Sequence, residues 1–198
     1  MMYQLNDTHS SRFLVTSRDA FKAFNKVMLF KMNVERMVIP PTNDNKINRS
    51  WYSAEAEDVF EIAETFDKMA KDVFSDPKIL QSTHIGNDDV LAVEFRLMQF
   101  NPTASRHGSM DDDTIVDTSY NSFGIASIQA VLAHSQTGEL IAVIEDKINL
   151  STIIAGSYAF SRNTKQNQML AWRRAFKNWL QHLHQDLQKL RSEALTKS

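Results

Sequence analysis

The sequence predicts an α+β protein. The expected architecture is a two-layer sandwich, with a mainly antiparallel sheet of about four strands and two long amphipathic helices on one face, in the order β-α-β-β-β-α. Two stretches with apolar residues at helical spacing and four strand-like stretches lead to this prediction. A length of 198 residues is also sufficient for one domain with a substantial core.

The first predicted strand extends from Lys26 to Ile39. Apolar and polar residues alternate there, and two prolines follow at positions 40 and 41, where a missing backbone donor ends a strand. We therefore expect residues 1–25 to form an N-terminal extension, residues 26–191 a single domain and residues 192–198 a C-terminal tail.

Two amphipathic helices are predicted. Between Trp51 and Phe74, apolar residues recur at steps of three and four, and Ser50 or Ser53 is in position to cap this helix. The second helix is expected from Gln168 to Arg191, with an apolar stripe formed by Trp172, Phe176, Trp179, Leu183, Leu187 and Leu190.

Three further strands are expected between the helices, over Val90–Phe100, Phe123–His134 and Glu139–Leu150. The last two flank the short polar stretch SQTG, whose glycine can adopt a positive φ. This pattern predicts an antiparallel hairpin.

Composition argues against several classes of function. With 22 Lys plus Arg against 24 Asp plus Glu, the chain has no net positive charge to attract nucleic acid, and the cluster of Arg173, Arg174 and Lys177 is expected to be a solvated helix face. There are no cysteines, and the sequence contains no P-loop, GxGxxG or GxSxG motif. We therefore predict no cofactor and no catalytic residues.

Charged residues on the predicted strands indicate a polar sheet face. Glu94, Arg96 and Lys147 are expected to form cross-strand charge pairs there. On the second helix, His182 and Asp186 are four residues apart, a spacing typical of a local surface ion pair.

A long loop from Asn101 to Ser122 offers an alternative function. It carries Asp111, Asp112 and Asp113, which with His107 and Glu94 would suit a metal-dependent hydrolase. The cluster lacks the ligand spacing of an EF-hand, and the sequence favours a solvated acidic loop over a metal site.

The segment from Leu150 to Asn163 is apolar for a connection between a strand and a helix. Its large apolar residues either pack on their own domain or form a patch for a protein partner or for self-association. These residues are Ile153, Ile154, Tyr158 and Phe160.

Several of these motifs together resemble a known family. The Asn101-Pro-Thr motif, the hairpin from Gly124 to Lys147 with Thr137-Gly138-Glu139 at its turn, and the last helix with AWRRAFKNWLQHL are similar to the bacterial lipoproteins of domain-of-unknown-function family 3313. The resemblance implies a lipid-anchored domain of the cell envelope, on the periplasmic side, and no established reaction.

The residues and the resemblance together predict a non-catalytic, envelope-associated binding or scaffolding domain. The lipobox cysteine of such lipoproteins is absent here, so contact with the membrane is expected only through a lipid anchor that precedes Met1. A cytoplasmic location is the alternative if no signal peptide precedes this sequence.

Overall fold

The computed structural model describes residues 1–52, 56–75, 80–106, 122–152 and 163–196. The strands are β1 (Tyr3–Leu5), β2 (Arg12–Val15), β3 (Lys26–Leu29), β4 (Gln81–Ser82), β5 (Val90–Pro102), β6 (Ser122–His134) and β7 (Leu140–Ser151). The α-helices are α1 (Asn45–Tyr52), α2 (Ala56–Val73) and α3 (Lys165–Thr196), and a 3-10 helix spans Asp19–Ala23. All seven strands join one sheet in the order β1-β2-β7-β6-β5-β3-β4.

This sheet shows that the predicted fold class was wrong. β3 runs parallel to both β4 and β5, whereas the other neighbouring strands are antiparallel, so the seven-stranded sheet is mixed. The described residues also form three α-helices rather than two. Strands β1, β2 and β4 have only two to four residues, too few for a periodic pattern, and only pairing with a neighbour makes them strands.

The first 25 residues, expected to be an extension, contribute to this sheet. β2 pairs antiparallel with β7, and its residues Phe13 and Val15 are fully buried. The 3-10 helix buries Phe21 and contacts α3. At the other end of the chain, α3 continues to Thr196, beyond its predicted end at Arg191.

The first predicted strand is shorter than expected. β3 ends at Leu29, and after it only isolated bridges form, from Asn33 to Arg96 and from Val38 to Gln99. One reason is that the backbone N–H of Met32 donates to Oδ1 of Asp67 on α2 at 2.9 Å, so this donor is taken up by a helix rather than by a strand.

The first predicted helix is divided in the structure. Oδ1 of Asp44 accepts the backbone N–H groups of Lys46 and Ile47, which caps α1. Ser50, predicted as a cap, lies inside α1 and donates its hydroxyl to the Ile47 carbonyl at 2.8 Å. Ser53, the other predicted cap, lies outside the described residues.

The predicted hairpin is confirmed, since β6 and β7 pair antiparallel and Gly138 has φ +71° at the turn. The core lies between this sheet and the helices. Phe66 of α2 is at its centre, with ring centroids 4.8 Å from Phe95 of β5 and 5.0 Å from Phe176 of α3. Among the described residues, no helix combines the length and apolar character needed to cross a bilayer.

Candidate functional site

The two faces of the sheet differ in what covers them. The ring of Phe95 contacts Phe66 and Trp179, at centroid distances of 4.8 and 6.1 Å, so α2 and α3 lie on this face. Side chains alternate along a strand, and Glu94 and Arg96 therefore point to the other side. Among the described residues, the aromatic contacts of α1, α2 and α3 with the sheet lie on the Phe95 side, and we call the other side the open face. Its central residues are partly exposed: Leu14, Glu94, Arg96, Gln129, Val131, Val143 and Glu145.

A hydrogen-bonded row of side chains crosses four strands of the open face. Arg12 donates to Oε2 of Glu145 at 2.7 Å, and Nε2 of Gln129 donates to Oε1 of the same carboxylate at 2.9 Å. Nη1 of Arg96 donates to Oε1 of Gln129 at 3.3 Å. Arg96 also forms a two-point ion pair with Glu94, in which both nitrogen–oxygen distances are 2.9 Å. We call these five residues the polar row.

The strand register brings these residues together. Arg96 lies directly opposite Gln129 in the β5–β6 pair, Gln129 lies opposite Glu145 in the β6–β7 pair, and Glu145 lies opposite Arg12 on β2. Directly opposed side chains are about 5 Å apart at Cβ, which is within hydrogen-bonding reach for these long residues. The sheet itself therefore fixes the order of charges along the row.

The two-point ion pair also affects protonation. The hydrogen bonds from Arg96 hold the pKa of Glu94 below its usual value, although burial opposes this change. The same contact raises the pKa of Arg96. Glu94 is therefore a stable carboxylate at neutral pH, whereas a general acid requires a raised pKa. This arrangement therefore does not suit Glu94 to the role of a general acid.

Apolar side chains lie next to the polar row. Leu14, Val143 and Val131 face one another across β2, β7 and β6, and all three are partly exposed. Glu94 comes next to Val131 in the same register row, and beyond it Phe30 is 50% exposed and lines a shallow hollow of about 490 Å³ with Glu94 and Ala133. An apolar stripe beside fixed charges is typical of a protein-binding surface.

Of the three residues predicted to form cross-strand charge pairs, Glu94 and Arg96 contact each other, whereas Lys147 lies apart from them. Glu94 and Arg96 pair along a single strand rather than across strands. Lys147 is exposed and lies opposite Ser127 in the β6–β7 pair. It shares a second hollow, of about 370 Å³, with Met98 and Glu145. Gln129, which links the two halves of the row, was missed because an uncharged residue on a strand gives no sequence signal.

Two predicted clusters lie outside the described residues. These are the acidic loop with its histidine, and the apolar segment before α3. The residues concerned are His107, Asp111, Asp112 and Asp113 of the first, and Ile153, Ile154, Tyr158 and Phe160 of the second. In the described ranges, no group of three His, Asp or Glu side chains is arranged to hold a metal ion.

A second polar cluster ties the N-terminus to α3. Asp186 is 1% exposed and accepts the backbone N–H of His9 at 2.9 Å and its ring Nδ1 at 2.7 Å. The His9 ring stacks on His182 with centroids 4.6 Å apart. The predicted local pairing of His182 with Asp186 is thus replaced by contacts with a residue 177 positions away, for which the sequence holds no signal.

The basic cluster on α3 lines a groove beside α2. Arg173 and Lys177 are exposed, and Met69 and Val73 of α2 lie across from them in a groove of about 700 Å³. Arg174 lines the same groove and has interaction partners in the chain. Along α3 the three cations come first, and the amide side chains of Gln181, Gln185 and Gln188 follow them in the same groove.

No family model matches the chain, and no curated protein matches it. The resemblance to family 3313 is therefore unconfirmed. Among solved structures, this chain is similar to a protein of domain-of-unknown-function family 330 from Xanthomonas campestris. The identity is 13% over 89% of this chain and 90% of that one, and the TM-score is 0.48.

Two other solved structures show similarity over most of their length. The PelC dodecamer from Paraburkholderia phytofirmans has 10% identity over 87% of this chain and 96% of that one, with a TM-score of 0.43. A lipoprotein candidate from Caulobacter crescentus has 9% identity over 89% and 95%, with a TM-score of 0.41. The solved neighbours thus include lipoprotein-like, uncharacterised and oligomeric proteins, and function does not transfer at this similarity.

Proposed function

We propose that this chain is a non-catalytic binding domain of the bacterial cell envelope, and that it binds a protein surface through the open face of its sheet. The observation that carries the proposal is the polar row, whose charges are fixed by the strand register beside an apolar stripe. Its location at the envelope rests on the resemblance of the hairpin and last helix to the lipoproteins of family 3313.

The described chemistry supports binding rather than turnover. Glu94, the described member of the alternative hydrolase site, is engaged by Arg96, and its lowered pKa keeps it charged. An ionised carboxylate whose charge is balanced by a neighbouring arginine contributes to orientation and specificity at an interface. A carboxylate held in its charged form is not a proton donor.

Site-specific crosslinking tests the binding surface. A photoreactive amino acid replaces Val131 on the open face, and in a matched control it replaces Phe60, which is 60% exposed on α2. We expect a covalent protein adduct from position 131 in intact cells, and its loss when Arg96→Ala is added to the same chain. Equal adducts from both positions, or an adduct insensitive to Arg96→Ala, would contradict the proposal.

Fractionation tests the location separately. The product of the whole gene is expected in the membrane fraction, released by detergent and not by high salt, because a lipid anchor holds by apolar burial. Recovery in the soluble cytoplasmic fraction would contradict the envelope assignment and leave the binding surface to be judged by crosslinking.

A further inference from the structure

The order of charges in the polar row indicates which kind of surface is complementary to it. Across the sheet, Glu145 lies one strand to one side of Gln129 and Arg96 lies one strand to the other. Neighbouring strands are about 4.8 Å apart, so the two opposite charges lie at equal distances from Gln129. A row with this symmetry is complementary to its own rotated copy.

We propose that the open face binds the open face of a second copy of this chain, with a two-fold axis that runs along β6 and passes Gln129. This inference rests on the proposed function of the open face as a binding surface. The axis places Arg96 against the partner's Glu145 and Glu145 against the partner's Arg96. Such an interface is isologous, as in most soluble homodimers.

The direction of the axis follows from the charges. An axis perpendicular to the strands would place Arg96 against the partner's Arg96 and Glu145 against the partner's Glu145, and like charges in contact are strongly unfavourable. An axis along β6 avoids this. It also brings Val131 against the partner's Val131 and Lys147 against the partner's Gln99, since Gln99, Ser127 and Lys147 share one register row.

The facing groups retain capacity to bind. Within the described residues, Glu145 accepts one hydrogen bond at each oxygen, from Arg12 and Gln129, and a carboxylate offers about four acceptor positions. Arg96 uses three of its roughly five donors, on Glu94 and Gln129. The internal contacts therefore hold both side chains in place for the partner without saturating them.

The area is adequate for a dimer. β5, β6 and β7 have 13, 13 and 12 residues, and with the shorter β2 and β3 at their sides they give a face of about 700 Å² from standard strand dimensions. A stable interface buries about 800 Å² on each partner. Side-chain relief increases the accessible area above the flat estimate.

Charge-reversed variants test the pairing. In Arg96→Glu, both crossing contacts become Glu against Glu; in Glu145→Lys, both become cation against cation. We expect wild type to be dimeric by sedimentation at about 100 μM, and each variant to dimerise at least about ten-fold more weakly because like charges face each other. Glu139→Lys, a reversal at the hairpin turn, is the matched control and should remain dimeric.

The decisive sample is an equimolar mixture of the two variants. A mixed dimer contains one native Arg96–Glu145 contact and one reversed contact, so the mixture should recover dimers with one copy of each, identified by mass in native mass spectrometry. In Arg96→Glu, the new carboxylate lies beside Glu94 and can destabilise the fold. If circular dichroism shows that this variant is unfolded, the double variant Glu94→Gln/Arg96→Glu replaces it.

Three outcomes of these experiments would overturn the inference. A monomeric wild type, single variants that dimerise like wild type, or a mixture that stays monomeric would each exclude this pairing. The proposed function fails separately: an adduct from position 131 that contains a different protein supports a binding surface and excludes the second copy as its occupant.

Discussion

Gly124 lies directly against the ring of Phe100: a Cβ atom at position 124 would be 2.5 Å from Cε2 of that ring and 2.7 Å from the carbonyl oxygen of Asn101. Its φ of +154° is also unfavourable for other residues. Glycine is therefore required where β6 begins, because β5 and its aromatic side chain approach the backbone so closely.

Gly124→Ala is accordingly expected to reduce the free energy of unfolding by about 2–3 kcal/mol, through overpacking in addition to backbone strain. Gly138→Ala is the matched control. Gly138 has φ +71° but no heavy atom within 4 Å of a Cβ, so its cost should be about 1 kcal/mol. Urea unfolding measures both, and equal losses would contradict the close approach at Gly124.

Phe66 joins the helices to the sheet through three aromatic contacts, with Phe95, Phe176 and Trp179. Phe66→Ala should lower stability by about 3–5 kcal/mol, since it leaves a cavity in a fully buried site. Phe60→Ala, on the same helix but 60% exposed, should cost less than about 1 kcal/mol. Similar losses in the two variants would contradict the observed core.

Asp186 anchors the N-terminal segment through His9. Asp186→Ala should lower stability by about 2–3 kcal/mol, because it leaves the His9 backbone N–H without its acceptor. His9→Ala should cost less, about 1 kcal/mol, because the backbone contact remains. If His182→Ala, which removes only the ring stacking, proved the most damaging of the three, this order of contributions would be wrong.

Asp67 gives a pH dependence of defined sign. Burial raises its pKa, so the folded state binds this proton more tightly than the unfolded state does. The associated stability is present below the unfolded pKa, about 3.9, and is lost as pH rises through the folded value. Asp67→Asn removes this titration and keeps an oxygen for the Met32 N–H.

The stability of Asp67→Asn relative to wild type should therefore increase as the pH is raised across that window. Urea unfolding of both proteins from pH 3.5 to 7 measures the difference at each pH. A difference that is constant, or that decreases with pH, would contradict the raised pKa of Asp67.

Sequence periodicity could predict the long elements but not the sheet as a whole. β5, β6 and β7 are long enough for alternation to be visible, and the Gly138 turn joins two of them. The edge strands are too short for alternation to be visible. β3 and β5 are parallel because the helices between them carry the chain back to the end of the sheet at which β3 begins. Local pattern does not encode that return.

The candidate site was predictable only in part, for a related reason. Charges at Glu94 and Arg96 mark a polar face, but their partner Gln129 is 33 positions from Arg96 and carries no charge. Likewise, Asp186 finds His9 rather than the histidine in its own helix. Such contacts depend on tertiary neighbours, which a single sequence does not show.

The claim that two copies meet on their open faces is tested most directly by engineered cysteines, because these 198 residues contain none. Gln129→Cys and Ser127→Cys both lie on β6 and hence on the proposed axis. A bismaleimide that spans about 10 Å, the spacing of packed sheets, should convert each into a covalent dimer. Arg12→Cys lies two strands from the axis, about 20 Å from its counterpart, and should remain monomeric. Crosslinking at Arg12→Cys and not on β6, or at none of these positions, would contradict the account.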